Sequence, residues 1–350
     1  MKLRDDLDDL EGYHSPQVDV AVRLNTNESP YPPPDAWREA LLEELKSLPF
    51  QRYPDRAADE LRRAIGQLHG VGPEQVLAAN GSNEVIQALC LAFGGPGRPA
   101  AVFKPTYLMH AHIARITGTA VVEGERDADF ALDMAEVERV VKAEQPAITF
   151  LCSPNNPTGM PEPEGAIERV LSLGSGLVVV DEAYGQFSPR SAIEQIAAGK
   201  PLVVVRTFSK TWSMAAARLG YLVGPADIIS AVEAVLLPYH LDAMKQAAGR
   251  LALRYKAEME ARVATIVEER GRLTAGLSEL PVDTWPSAAN FILFRPRTKD
   301  GDKVWEALLE RSVLVRNCAS WPRLDGCLRV TVGTAEENDA FLSALREVLA

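Results

Sequence analysis

Four short apolar runs in the middle of the chain, Ala100–Phe103, Ala147–Leu151, Leu177–Val180 and Leu202–Val205, set the strongest limit on its fold. Each is rich in β-branched or aromatic residues and none alternates with polar ones, which is the pattern of strands buried on both faces of a parallel sheet. Between them lie stretches with helical periodicity, including Ala135–Glu144 and Ala166–Leu173. Strand alternating with helix requires crossover connections, so the expected class is α/β with a mostly parallel sheet. After Tyr221 the pattern changes. Ala243–Leu277 reads as one or two long helices with a charged, solvated face. Strand candidates at Phe291–Phe294, Val313–Val315 and Leu328–Val332, with helices at Asp302–Leu309 and Glu336–Leu349, then build a smaller α+β region. The run Ser29–Pro34 is an extended connector, because proline fixes φ and disfavours helix in the residue before it.

Polar residues follow each of the four runs directly: Lys104-Pro105-Thr106-Tyr107, Cys152 to Gly159, Asp181-Glu182-Ala183-Tyr184 and Arg206 to Lys210. In open α/β sheets the ligand crevice lies outside the carboxyl ends of the strands. The spacing therefore predicts that four chemically rich loops converge on one side of one sheet.

Bulk properties narrow the chemistry. A length of 350 residues suits about two domains. A net charge of -11 argues against a general nucleic-acid or membrane-surface role but leaves room for anionic ligands held by local arginines. Cys90, Cys152, Cys318 and Cys327 lack CxxC spacing and a nearby histidine pair, so free thiols are expected and no metal site. The N-terminus carries no apolar core, and no apolar run approaches membrane-spanning length, so the expectation is a cytoplasmic, soluble protein.

Individual residues carry the rest. Gly81-Ser82-Asn83 feeds the helical run Val85–Phe93, and a turn of this kind offers free N–H groups and the positive end of a helix dipole to a phosphate; helix capping alone is the simpler alternative. Lys210, in Thr207-Phe208-Ser209-Lys210, ends an apolar strand flanked by hydroxyls, where an amine can attack a cofactor aldehyde. Thr207, Ser209 and Arg218 suit a phosphate cradle. Asp181 would be semi-buried and needs a partner; the protonated ring nitrogen of pyridoxal phosphate is one, and capping the next helix is the alternative. Tyr184 and Asn156 are placed to hydrogen-bond a ring oxygen, and Tyr107 to stack on the ring.

Gly81-Ser82-Asn83, Pro105-Thr106-Tyr107, Asn155-Asn156-Pro157-Thr158-Gly159, Asp181-Glu182-Ala183-Tyr184 and Ser209-Lys210 with Arg218 together resemble the fold-type-I, class I/II aminotransferases. Arg23-Leu24-Asn25-Thr26-Asn27-Glu28, Arg52-Tyr53-Pro54-Asp55, Leu237-Pro238-Tyr239-His240-Leu241, Ala289-Asn290-Phe291, Leu314-Val315-Arg316 and Leu328-Arg329-Val330-Thr331-Val332-Gly333-Thr334 narrow the resemblance to the histidinol-phosphate aminotransferase family, nearly end to end. The resemblance implies pyridoxal 5'-phosphate bound covalently by Lys210, with Asp181 on its ring nitrogen, Asn156 and Tyr184 on its ring hydroxyl and Tyr107 over its ring. Gly81, Ser82, Asn83, Thr207, Ser209 and Arg218 would hold the phosphate, joined by Tyr53 from the second subunit of a homodimer. Arg329 would bind the carboxylate of glutamate or 2-oxoglutarate and, with Arg316, the phosphate of histidinol phosphate; Asn25 and Tyr13 would lie over the substrate. The implied division is an N-terminal arm and part of the small domain over 1–45, a large cofactor domain over 46–240, and a linking helix with the C-terminal small domain over 241–350. The segment Arg316–Cys327 departs from the pattern. It is longer than in many relatives, and its Arg-Asn-Cys run resembles threonine-phosphate decarboxylase, a lyase of the same fold. An aromatic or broad-specificity aminotransferase is the other alternative.

Overall fold

The computed structural model describes residues 16–350 except Ser175, together with Leu7 and Gly12. Strand β1 (Val22–Leu24) belongs to a small sheet built otherwise from the far end of the chain. The larger sheet has seven strands: β2 (Val76–Ala79), β3 (Ala100–Lys104), β4 (Val121–Glu125), β5 (Ile148–Cys152), β6 (Leu177–Asp181), β7 (Leu202–Thr207) and β8 (Gly220–Val223). Their order is β2-β8-β7-β6-β5-β3-β4, parallel from β4 to β7, with β8 antiparallel to both neighbours.

β3, β5, β6 and β7 coincide with the four apolar runs, and each ends one or two residues later. Lys104, Cys152, Asp181 and Arg206-Thr207 still pair in the ladder before the chain turns away. Alternate residues of one strand enter different cores: Val178, Val180 and Val204 on one face, Val179, Val203 and Val205 on the other. Both faces are covered, which is why these runs show no alternation. Each valine buried this way contributes roughly 1.5–3 kcal/mol relative to exposure. β4 escaped the sequence reading because it is an edge strand, with Glu123 and Glu125 facing partly outward. β2 and β8 are short, and β2 is half alanine.

The small sheet has the order β1-β11-β12-β10-β9, with β9 (Val282–Thr284), β10 (Phe291–Pro296), β11 (Val313–Asn317) and β12 (Leu328–Thr331). β1 pairs in parallel with β11, so the N-terminal segment completes the domain made by the C-terminal part. The stretch expected as one or two helices is broken once. Ala243–Ala252 is followed by a single 3-10 turn and then by the helix Lys256–Ser278. That helix ties the two cores, with Met259 in the large one and Ile266, Leu273 and Leu277 in the small one.

From β5 the chain winds through β6 to β7 on one side of the sheet, while β3 and β4 lie on the other. The order therefore reverses between β5 and β3, where a crevice opens at the carboxyl ends of the strands.

Candidate active site

A cavity of ≈ 350 Å³ occupies that crevice. Asp181 reaches it from the end of β6, Tyr107, Asn156, Tyr184 and Lys210 from the loops after four parallel strands, and Thr26, Asn27 and Arg329 close it from the small domain.

Lys210 stands three residues beyond β7, and its Nζ donates to the carbonyl of Thr26 at 3.0 Å. Burial, and then the positive charge of Arg329, pull its ammonium down to about 8. Asp181, the last residue of β6, is buried. Its Oδ1 accepts from the Ala183 N–H at 3.0 Å, and its Oδ2 faces Nε2 of His110 at 2.9 Å. A carboxylate only accepts, so this ring nitrogen carries the proton. The local turn and the cavity thus share one carboxylate. His110 was not singled out from the sequence. It sits one helical turn after Tyr107, fully buried, stacked on Phe150 with ring centroids 4.7 Å apart and edge-on to Tyr107. A histidine on a largely apolar helix gives no warning of such a partner.

At the other end of the cavity the helix Ser82–Phe93 begins at Gly81, whose φ is +85° and which, as a glycine, has no side chain to cap the first turn. Ser82 and Asn83, the first two residues of this helix, line the cavity, so the positive end of the helix dipole lies at that end. A Cβ on Gly81 would lie 3.0 Å from Nη2 of Arg218, and one on Gly220 only 2.4 Å from the Ser82 nitrogen. Both glycines keep this cradle open. Thr207 donates to Ser209 at 2.9 Å, Arg218 Nη1 reaches Ser209 Oγ at 3.5 Å, and Tyr107 donates to Asn83 Oδ1 at 3.2 Å.

Arg329, on β12, is buried; its Nη1 donates to Asn156 Oδ1 and its Nη2 to the Asn25 carbonyl at 3.0 Å, while Nε has no partner among the described residues. Tyr184 accepts from Asn27 Nδ2 at 2.9 Å, and burial pushes its hydroxyl up to about 12. Some predicted residues lie outside the cavity wall. Arg316 packs against Trp321, its guanidinium 5.6 Å from the indole centre, and it is Trp321, given no role in the Arg316–Cys327 segment, that lines the cavity. Asn25 is buried, with Nδ2 donating to the Pro16 carbonyl at 3.2 Å. Tyr53 is 80% exposed and stacks on Tyr239 well away from the cavity wall. Tyr13 lies outside the described residues.

These residues fit pyridoxal phosphate. An amine of lowered basicity and a buried carboxylate share one cavity, a helix start with hydroxyls and a guanidinium makes an anion cradle, and the buried Arg329 guanidinium lines the same cavity.

A family model described as aminotransferase class I and II matches residues 19–345. The histidinol-phosphate aminotransferase of Corynebacterium diphtheriae is 44% identical, over 99% of this chain and 96% of its own. The enzyme of the same name from Streptomyces avermitilis is also 44% identical, over 99% and 96%. In three dimensions the chain is similar to the histidinol-phosphate aminotransferase of Sinorhizobium meliloti in complex with pyridoxal-5'-phosphate, with a TM-score of 0.85 at 23% identity, over 94% of this chain and 91% of that one. On a family match of that extent and full-length relatives of that identity, the chain belongs to the class I and II aminotransferases, among the histidinol-phosphate aminotransferases.

Proposed function

We propose that this protein exchanges an amino group between glutamate or 2-oxoglutarate and histidinol phosphate or imidazole acetol phosphate, a step of histidine biosynthesis, with pyridoxal 5'-phosphate as cofactor. The observation that carries the reading is that Lys210, Asp181 and Arg329 line one cavity. Pyridoxal phosphate, when bound, supplies the carbonyl that carries the amino group and the electron sink that makes a substrate Cα–H acidic.

The side chains supply the rest. Lys210 Nζ would hold the cofactor at its aldehyde carbon, and as a free amine it is the group in this cavity able to carry a proton to and from the substrate Cα. Its lowered basicity keeps a working share of neutral amine near neutral pH. Asp181 holds the proton on the ring nitrogen, and His110 orients that carboxylate. Tyr184 and the Asn156 amide hydrogen-bond the ring oxygen, Tyr107 covers the ring, and Gly81, Ser82, Asn83, Thr207, Ser209 and Arg218 hold the phosphate. Arg329 takes the carboxylate of one substrate and shares the phosphate of the other with Arg316, a use that the planar, bidentate guanidinium serves for both anions. Asn25 covers the substrate.

The working unit is a homodimer in which Tyr53 reaches the phosphate of the neighbouring subunit. In support, the exposed side chains Phe50, Tyr53, Tyr239 and Met244 line one surface groove, an apolar grouping that a second copy would cover. The division is 1–45, 46–240 and 241–350, and the compartment is the cytoplasm; among the described residues no helix is long and apolar enough to cross a membrane.

A second reading, decarboxylation of threonine phosphate, is favoured by Trp321, because the Arg316–Cys327 segment that suggested a lyase contributes it to the substrate end. Incubating the loaded protein separately with histidinol phosphate plus 2-oxoglutarate, phenylalanine plus 2-oxoglutarate, and threonine phosphate alone tests both. A keto product with glutamate from the first pair is expected. Carbon dioxide from the third with no glutamate from the first would replace the transaminase with the lyase.

A further inference from the structure

Asn27 holds a left-handed backbone conformation, φ +55°, and is 1% exposed. Asparagine tolerates that region better than most residues. Its backbone is tied to the small domain on both sides: the N–H donates to Thr331 Oγ1 at 3.0 Å, and the carbonyl accepts from Asn290 Nδ2 at 3.2 Å. The side chain bridges the two domains. Oδ1 accepts from the Thr331 hydroxyl at 3.1 Å, and Nδ2 donates to the Tyr184 oxygen at 2.9 Å.

The orientation of this amide is determined by its neighbours. Turned over, it would set an N–H against a Thr331 hydroxyl that already accepts from the backbone. The buried hydroxyl proton would then lose its acceptor, which costs more than an ordinary hydrogen bond contributes. Nδ2 therefore faces Tyr184, and the tyrosine oxygen is the acceptor. Its own proton is left over. The charged and titratable groups around Tyr184 are Arg329, Asp181, Lys210 and the Cys152 thiol, and among the described residues none of them hydrogen-bonds its oxygen. Tyr184 and Asn27 both line the cavity.

We propose that Asn27, pinned by Thr331, is a positioning residue that fixes the direction of the Tyr184 proton, so that this O–H donates into the cavity to the ring oxygen of bound pyridoxal phosphate. The inference rests on the cofactor reading above. It makes the strap between β1 and the proline-rich connector part of the cofactor's electronic environment. A donor on the ring oxygen favours its anionic form and lowers the proton affinity of the bound cofactor.

The test is a pH titration of the visible absorbance of the loaded protein. Asn27→Asp replaces the donor with an acceptor that draws the tyrosine proton away from the cavity. The midpoint of the band should rise by about one pH unit or more, the scale of one hydrogen bond to a charged oxygen. In a Tyr184→Phe background the same substitution should move the midpoint far less, because only the bare charge of the new carboxylate remains. Equal shifts in the two backgrounds would overturn the proposal. If Asn27→Asp fails to retain cofactor, Thr331→Val reads the same point: it unpins the amide and should raise the midpoint by a smaller amount in the parent protein and not at all beside Tyr184→Phe. No shift in the parent would equally overturn it. A parent protein with no visible band after loading would instead remove the cofactor reading itself.

Discussion

Arg316 and Arg329 are directly opposed partners on the neighbouring strands β11 and β12, yet only Arg329 faces the cavity, while the Trp321 indole covers Arg316. Two guanidiniums on adjacent strands would repel each other in an apolar site. Here Arg329 is bound by Asn156 and by the Asn25 carbonyl, and Arg316 by the aromatic face. Arg329 therefore brings its positive charge to the cavity wall, while Arg316, its partner across the ladder, lies against Trp321 outside that wall.

Unequal roles follow from that arrangement. Arg329→Ala should raise the KM for glutamate by tenfold or more, the effect of losing about 1.5–3 kcal/mol of charge-assisted hydrogen bonding, and leave cofactor absorbance intact. Arg316→Ala should raise the KM for the phosphorylated substrate and change that for glutamate less. Steady-state kinetics on both substrates check this; equal effects of the two substitutions on glutamate would mean that Trp321 does not separate them.

Lys210 provides a pH dependence whose sign is fixed. Its ammonium titrates near 8, against 10.5 for an ordinary lysine, so the nucleophilic neutral form gains as pH rises and is nearly complete above about 9. Capture of pyridoxal phosphate by cofactor-free protein should accelerate from pH 6 to a plateau, with a midpoint near 8. Stopped-flow absorbance measures it, and a midpoint above about 10 would mean that burial does not set this amine. Lys210→Ala should abolish both the covalent band and turnover.

Stability should respond to a pair far from the chemistry. Arg126 and Glu162 form a salt bridge at 2.5 Å with both side chains 2% exposed, whereas Arg139 and Glu136 pair at 2.7 Å on the surface. Glu162→Ala strands a buried guanidinium and should cost about 3–5 kcal/mol, while Glu136→Ala should cost at most about 1 kcal/mol. Urea unfolding of the two variants makes the comparison.

Much of this architecture was readable before any coordinates because burial on both faces writes an unbroken apolar run, and the four runs fixed the sheet, its polar loops and the side of the sheet that carries the site. What stayed hidden obeys weaker signals. Edge strand β4 mixes glutamates into its pattern, and β2 is too short and alanine-rich to stand out. His110 announces nothing in sequence because its partner is 71 residues away. Asn27 was quoted only as part of a motif; its hydrogen bonds run to Tyr184 and Thr331, and no periodicity encodes contacts 157 and 304 residues apart. Trp321 does not stand out within a segment notable for its length and its Arg-Asn-Cys run, since an indole in a loop reads equally as core.

The phosphate cradle can be tested apart from the ring pocket. Gly220 opens β8, and an added Cβ there would meet the Ser82 nitrogen at 2.4 Å and the Gly81 carbonyl carbon at 2.5 Å. These are backbone atoms that cannot rotate away, so Gly220→Ala must push the strand and the helix start apart, at about 1–3 kcal/mol. Gly118 has open space around it, so Gly118→Ala bears only the strain of its φ of +80° and serves as a control for general destabilisation. Because the displaced atoms belong to the turn that would hold the phosphate, Gly220→Ala should weaken pyridoxal phosphate binding by tenfold or more and leave the binding of pyridoxal, which lacks the phosphate, within about twofold. Equal losses for the two ligands would mean that the helix start at Ser82 shapes the whole pocket and does not act as an anion site.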